Sequence, residues 1–245
     1  MPPKAPLTIS VPLNSAPQRT APVADAQRPL GSATTVRPNA RPIGMGRHAA
    51  GVPSGRNEME SYFERLLALG RVNGLDAMGA KGIEQLCGDL SITLNSFEMY
   101  TLIWKMGITR GGCIPRADWL TTMYAYKIKH PIDLKLNLTE WVKEAREEAF
   151  IEFYNELYDY IRGEEARLMP ADNAIKAWAV LFAHEPRIRS WIEWYTVVHK
   201  RDVTRDVWRQ LAVFFSTVPK IEVYSVEDKW PSAIDSYVEW CVSSH

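Results

Sequence analysis

Cysteine is sparse in this chain: Cys87, Cys113 and Cys241 are an odd number at wide spacing, with no CxxC pair and no histidine at finger spacing. That pattern argues against a disulfide framework and against a zinc site. Long apolar runs are missing too. Nothing approaches the stretch of about 18 apolar residues that marks a membrane helix, and the N-terminus has no signal-peptide apolar core. The chain is therefore expected neither to cross a membrane nor to be secreted, and the cytoplasm and/or nucleus is its expected compartment. Glycine-rich phosphate loops, HExxH, GxSxG and the kinase signatures are absent as well. Nucleotide-dependent and zinc-dependent catalysis are left without support.

Acidic and aromatic residues are scarce in one region only. Residues 1–56 hold seven Lys or Arg against the single acid Asp25, carry ten of the sixteen prolines, and contain none of the nine tryptophans, which all lie between Trp104 and Trp240. Such a segment cannot bury enough surface to offset its ordering entropy, so a disordered basic Pro/Ala-rich tail is expected over 1–56. The remaining 22 basic and 28 acidic residues leave the tail about +6 and the rest about −6. The folded part is a poor nucleic-acid surface and a suitable seat for a basic protein partner.

What is present is helical periodicity. Asn57 can cap a helix, with Glu60 completing a capping box, and Met59, Tyr62, Phe63, Leu66 and Leu67 follow as one apolar stripe that stops at Gly70. A second helix is expected over Lys81–Leu90, and a third from an Asn95 cap through Trp104. Gly111 and Gly112 break the chain, and Pro115 suits the first position of a fourth helix carrying Trp119 and Met123. These four short helices read as a compact subdomain. From about Asp133 the helices lengthen. One acid-rich run through Trp141, Phe150, Phe153, Tyr154 and Leu157 ends at Gly163, and a further helix opens at Pro170 with Ala174, Ile175, Trp178 and Leu181 as its stripe. Ile188, Trp191, Ile192, Tyr195 and Val198 make the next stripe. Thr204 caps a helix with Asp206 in its first turn, and a last helix opens at Pro231. Period-two alternation is nearly absent, so the fold class is all-α with almost no sheet.

Paired helices with short loops invite a calcium reading. Between Arg71 and Glu84, however, the loop offers only Asn73 and Asp76, and Ile108–Trp119 has no carboxylate before Asp118. A calcium loop needs several oxygen ligands at alternate positions, so no metal site is expected. As possible nucleophiles, Cys87 and Cys241 fall on apolar helix faces, where a small buried thiol is the common outcome. Cys113 lies in a Gly-Gly loop open to exposure, but His184 and His199 are remote in sequence and nothing local lowers its pKa, so a structural role is expected for it as for the other two; a cysteine-dependent transferase remains a rival reading through it. The cluster His199, Lys200, Arg201 reads as a solvated helix end.

Three blocks occur in order: KGIEQLCGDLSITLNSFEMYTLIWKM, AIKAWAVLF, and HKRDVTRDVW followed after a gap by VYSVEDKWPSAIDSYVEW. Together they resemble the potentiating-neddylation domain of the defective-in-cullin-neddylation (DCN1-like) family, over about residues 58–243. The resemblance implies a domain over 57–245, with an EF-hand-like half at 57–130 that does not bind calcium, packed on a cullin-binding helical half at 131–245. It implies a non-catalytic scaffold-type co-ligase with no active site and no cofactor. Its partners would be a cullin C-terminal (winged-helix) domain, the acetylated N-terminal helix of the neddylation conjugating enzyme, and possibly the cullin-bound RING protein.

Carried over from the family, the acidic patch falls at Asp206, Lys229 and Asp235, with Glu227 and Asp228 beside it. Lys229 departs from the family's small residue there and keeps open a diverged helical adaptor that binds a different basic partner. For the two aspartates alone, helix capping and first-turn dipole stabilisation are the plain alternative. The conjugating-enzyme groove falls at Ile83, Met99, Leu102, Ile103, Met106, Ile114, Tyr160 and Val180. Ile103 is larger than the family's usual residue, and Gly111 and Gly112 are smaller than the usual loop residues. An apolar stripe is also what plain core looks like. A calcium-responsive sensor would shift its tryptophan fluorescence on calcium addition; we predict no shift, and a saturable calcium-dependent change would restore the sensor reading.

Overall fold

The computed structural model describes residues 58–243; the basic tail and the expected Asn57 cap lie outside the described residues. The architecture is all-α. Helices α1 (Glu58–Leu69), α2 (Ala80–Leu90), α3 (Phe97–Lys105) and α4 (Arg116–Ala125) come first. They are followed by α5 (Pro131–Arg146), α6 (Phe150–Arg162), α7 (Ala171–Leu181), α8 (Ile188–Trp194), α9 (Arg205–Thr217) and α10 (Ser232–Ser243). The two-residue strands β1 (Ala77–Met78) and β2 (Ile114–Pro115) pair antiparallel, Ala77 opposite Pro115 and Met78 opposite Ile114. They tie the α1–α2 loop to the α3–α4 loop.

Local chemistry explains most boundaries. In α1 the five expected residues Met59, Tyr62, Phe63, Leu66 and Leu67 are all buried. Glycine is required at Gly82, because a β-carbon there would meet the Leu66 carbonyl oxygen at 2.5 Å across the α1–α2 contact. The cap of α3 is Ser96 rather than Asn95: its hydroxyl accepts from the Met99 N–H at 3.1 Å. Pro115 sits one residue before α4 because its carbonyl side is already committed to the strand pair, and its extended ψ of 142° is that of a cap. Pro131 opens α5, where Asp133 reaches back to the backbone N–H groups of Lys129 and His130. The acid-rich run is two helices, broken between Arg146 and Phe150. Pro170 and Pro231 each stand just before their helix. Thr204 caps α9 as expected, accepting from Val207 N–H at 3.1 Å.

The stripe ending at Val198 is corrected. After Trp194 the backbone widens into a π turn over Tyr195–His199, which shifts the register, so Tyr195 stays buried while Val198 is 54% exposed.

The second half is held by aromatic rings. Trp208 of α9 stacks on Tyr154 of α6, ring centroids 4.3 Å apart and planes 5° from parallel, and its indole N–H donates to the Tyr154 carbonyl at 2.8 Å. Trp178 of α7 donates to the Tyr154 hydroxyl at 3.0 Å. Arg187 closes the far end of α9, donating to the Phe215 carbonyl at 2.9 Å and to Val218, while pairing with Glu185. In the first half, Trp119 of α4 donates to the Met59 carbonyl of α1 at 3.2 Å. Removing the fully buried Trp208 side chain forfeits both stack and hydrogen bond, so Trp208→Ala is expected to lower unfolding free energy by about 3–5 kcal/mol. Urea denaturation of the purified variant checks this, and a loss under about 1 kcal/mol would contradict it.

Candidate protein-docking site

The acidic candidates sit on α9, α10 and the segment between them. That segment, Pro219–Pro231, contains two short 3₁₀ turns, Ile221–Val223 and Val226–Asp228. It rests on Phe214 of α9, whose ring meets Tyr224 at 6.3 Å and Trp230 at 5.6 Å. Ser225 caps the second turn by accepting from Glu227 N–H at 3.2 Å. The Tyr224 hydroxyl donates to the Asp235 carboxylate. Burial pushes that phenol above its ordinary range, and the carboxylates of Asp235, Asp228 and Glu239 push it further. Asp235 alone contacts the phenol, while Asp228 and Glu239 lie near enough for their charge to act on it, and Glu239 is an acid that the residue pattern had not singled out. It follows Asp235 by one helical turn, a spacing that could have revealed it.

Asp206 lies in the first turn of α9, exposed, with no hydrogen bond or ion pair to another described residue. Its role there is not capping, since Thr204 does that. Glu227 and Asp228 are exposed. Lys229 adopts the left-handed conformation at φ 56° and is exposed. It makes no ion pair with Glu227, Asp228 or Asp235 among the described residues, so the cation leaves the neighbouring carboxylates unneutralised by contact.

The apolar candidates lie differently. Ile83, Met99, Leu102, Ile103, Met106 and Ile114 are each 5% exposed or less, inside the core rather than along an open groove. Cys87 Sγ meets Met99 Sδ at 3.8 Å. Tyr160 of α6 is half-buried; burial pushes its phenol up to about 12, helped by the nearby Tyr100, Cys87 and Cys113. Tyr160 packs against the hydrophobic core that holds the α2–α3 candidates, and its carbonyl lies 3.1 Å from where a β-carbon on Gly111 would stand. Val180 is half-buried on α7, which packs chiefly against α6 and α8.

Cys113, for which the loop had left exposure open, is buried at 3% exposure: β2 and the Gly-Gly turn fold its side chain inward. Burial holds its thiol above the ordinary range despite Arg110 nearby. Burial raises the Cys241 and Cys87 thiols too. Among the described residues no group of three or more His, Cys, Asp or Glu is placed to hold a metal ion. The loop acid Asp76 is taken by Arg116 at 2.6 Å, which holds its carboxyl below the usual carboxylate range.

With this geometry in view, the comparisons with known proteins give one answer. Residues 133–240, which contain every acidic candidate, match the family model described as Cullin binding. DCN1-like protein 3 of Homo sapiens is 26% identical over 202 residues, covering 78% of this chain and 66% of the relative. Defective in cullin neddylation protein 1 of Yarrowia lipolytica is 30% identical over 95 residues, 37% of this chain and 40% of the relative. DCN1-like protein 4 of Drosophila melanogaster is 21% identical over 169 residues, 67% and 68% of the two chains. The chain spans 66% of the length of the first of these relatives. An all-helical domain of the cullin-binding class is therefore what α5–α10 define. Over that stretch the chain matches the cullin-binding family model, and it is similar to the DCN1-like proteins.

A thiol with a raised pKa carries less thiolate at any given pH, and a buried one is also shielded. In the native protein Cys113 is therefore expected to react with a disulfide reagent more than tenfold slower than in urea, the rate rising with pH. Labelling followed by peptide mapping checks this; Cys113 as the first cysteine labelled at neutral pH would contradict it.

Proposed function

We propose that this protein is a non-catalytic adaptor that promotes cullin neddylation. It would hold a basic surface of a cullin C-terminal domain against its acidic α9–α10 end, and would hold the acetylated N-terminal helix of the conjugating enzyme at α2, α3 and Tyr160. The observation that carries the reading is the acidic end without a cation paired to it: Asp206 exposed in the first turn of α9, Asp235 held by the Tyr224 hydroxyl, and Glu227 and Asp228 exposed beside them, all within the cullin-binding match. Carboxylates of this kind accept charge-assisted hydrogen bonds from Lys or Arg. The cullin-binding match and the similarity to DCN1-like proteins support the same partner. The cullin-bound RING protein would be reached through the same assembly, in the cytoplasm or nucleus.

The gain would come from proximity. Two partners held on one rigid body meet at raised effective concentration and in restricted orientation, with no covalent step on the adaptor. The loop pairing of β1 with β2 supports an EF-hand-like reading of residues 57–130, on which residues 131–245 pack, and the Asp76–Arg116 pair argues against calcium there. The conjugating-enzyme helix needs an opening, because six of its eight candidate contacts are closed over in the core. Met99 and Met106, with flexible thioether side chains, are suited to repacking around an inserted anchor.

One observation favours a second reading. Lys229 stands exposed and unpaired among these acids. An adaptor with a cation at the middle of its docking end would select a partner carrying a carboxylate opposite it, which is a different basic protein from the family's usual one.

Calorimetric titration with a cullin C-terminal domain separates these. If each lost charge-assisted bond is worth about 1.5–3 kcal/mol, Asp206→Ala with Asp235→Ala weakens binding by well over tenfold, while Lys229→Ala leaves it equal or tighter. Unchanged binding of the double variant removes the acidic-end reading, and a loss of binding in Lys229→Ala favours the second.

A further inference from the structure

The corner where α4 runs into α5 carries a second set of exposed apolar side chains that neither docking end uses. Tyr124 is 83% exposed, the highest of the large apolar residues described, and Ile132 and Leu136, one helical turn apart on α5, are 62% and 63% exposed. Single exposed apolar residues are ordinary, but a group around a cavity marks an interaction surface. Of these, Tyr124 lines a cavity of about 490 Å³ whose buried wall is formed by Met123 and Ile128 and whose open side also holds Lys127 and Lys129; Ile132 and Leu136 stand on the adjoining helix α5. A volume of that order takes an aromatic or branched aliphatic side chain.

The charges around the cavity are unbalanced in one direction. Its one lining carboxylate is already engaged, Glu58 pairing with His130 at 2.5 Å, and on the adjoining α5 Asp133 accepts from the backbone N–H groups of Lys129 and His130 at 3.2 and 3.1 Å. The Lys127 and Lys129 ammonium groups make no ion pair among the described residues, and Lys135, one residue before Leu136, donates only to the Ser91 hydroxyl at 3.1 Å. Lys127 is moreover set in the left-handed conformation at φ 55°, closing α4 where a glycine would cost less. Among the residues lining the cavity the unmatched charge is cationic, and the apolar wall of Met123 and Ile128 is recessed.

We propose that this corner is a docking site for an acidic amphipathic peptide segment of a partner protein, which inserts one apolar anchor beside Met123 and Ile128 and sets its carboxylates against Lys127, Lys129 and Lys135. The chain's own residues 1–56 do not suit it, since seven cations against one acid repel the lysines. A flat anionic membrane leaves the recess unfilled, whereas a peptide side chain fills it.

The probe is a short fluorescein-labelled peptide with leucine and tryptophan at i, i+3, i+4 and i+7 and glutamate elsewhere, titrated into the full chain by fluorescence anisotropy. Binding in the micromolar range is expected, at least tenfold weaker in Lys127→Glu with Lys129→Glu and in Tyr124→Ser. All three positions are exposed, so the variants should keep the parent's urea midpoint. A control peptide with lysine in place of glutamate should not bind. The proposal is overturned by no binding, by equal binding of the lysine peptide, or by binding unaffected in the variants. Attachment to phosphatidylserine vesicles without peptide binding would assign the corner to a membrane, and concentration-dependent dimerisation lost in the same variants would assign it to a second copy; both overturn it.

Discussion

Everything functional in the second half of this protein hangs from one contact, the Trp208 indole lying flat on Tyr154 with its N–H spent on the Tyr154 carbonyl. That contact locks α9 to α6. A buried indole with its one donor satisfied is worth more than its area, because any shift of α9 would leave the N–H unpaired in a dry environment. Tyr154 in turn receives the Trp178 indole N–H on its hydroxyl, so α6, α7 and α9 share a single polar node inside an aromatic core. Asp206 is two residues from Trp208 and Tyr160 is six from Tyr154. The acidic end and the Tyr160 side of the core are therefore held by the same stack.

Rigidity of this kind is what an adaptor needs. Catalysis by positioning asks for two recognition surfaces on a body that does not flex between them. The chemistry that a catalyst would need is correspondingly muted here: the three thiols are raised by burial, not activated. The acidic end is different. Its carboxylates make no ion pair with a cation among the described residues, which leaves them open to charge-assisted contacts from outside the chain.

Much of this was legible before any coordinates. The stripe of α1, the Thr204 cap and the near-absence of sheet followed from periodicity and capping chemistry, because these are local rules acting within one turn. Errors arose where a non-local contact overrode the local rule. Val198 left its stripe because the chain inserts a π turn before Lys200. The Gly-Gly loop left the exposure of Cys113 open, and it is the pairing of Ile114 with Met78 that draws that residue into the core. The three-block resemblance named the acidic positions by residue, but nothing in residue spacing alone ties Tyr224 to Asp235. The closed state of the six apolar candidates was equally illegible, since periodicity reports which face is apolar and not whether another helix covers it.

The bridging role is tested most directly by the initial rate of modifier transfer from the charged conjugating enzyme to a cullin as this protein is added over a wide concentration range. A bridge makes the rate climb and then fall, because excess protein seats the two partners on separate copies. A rate that climbs to a plateau, with a covalent modifier adduct on this chain, would contradict it.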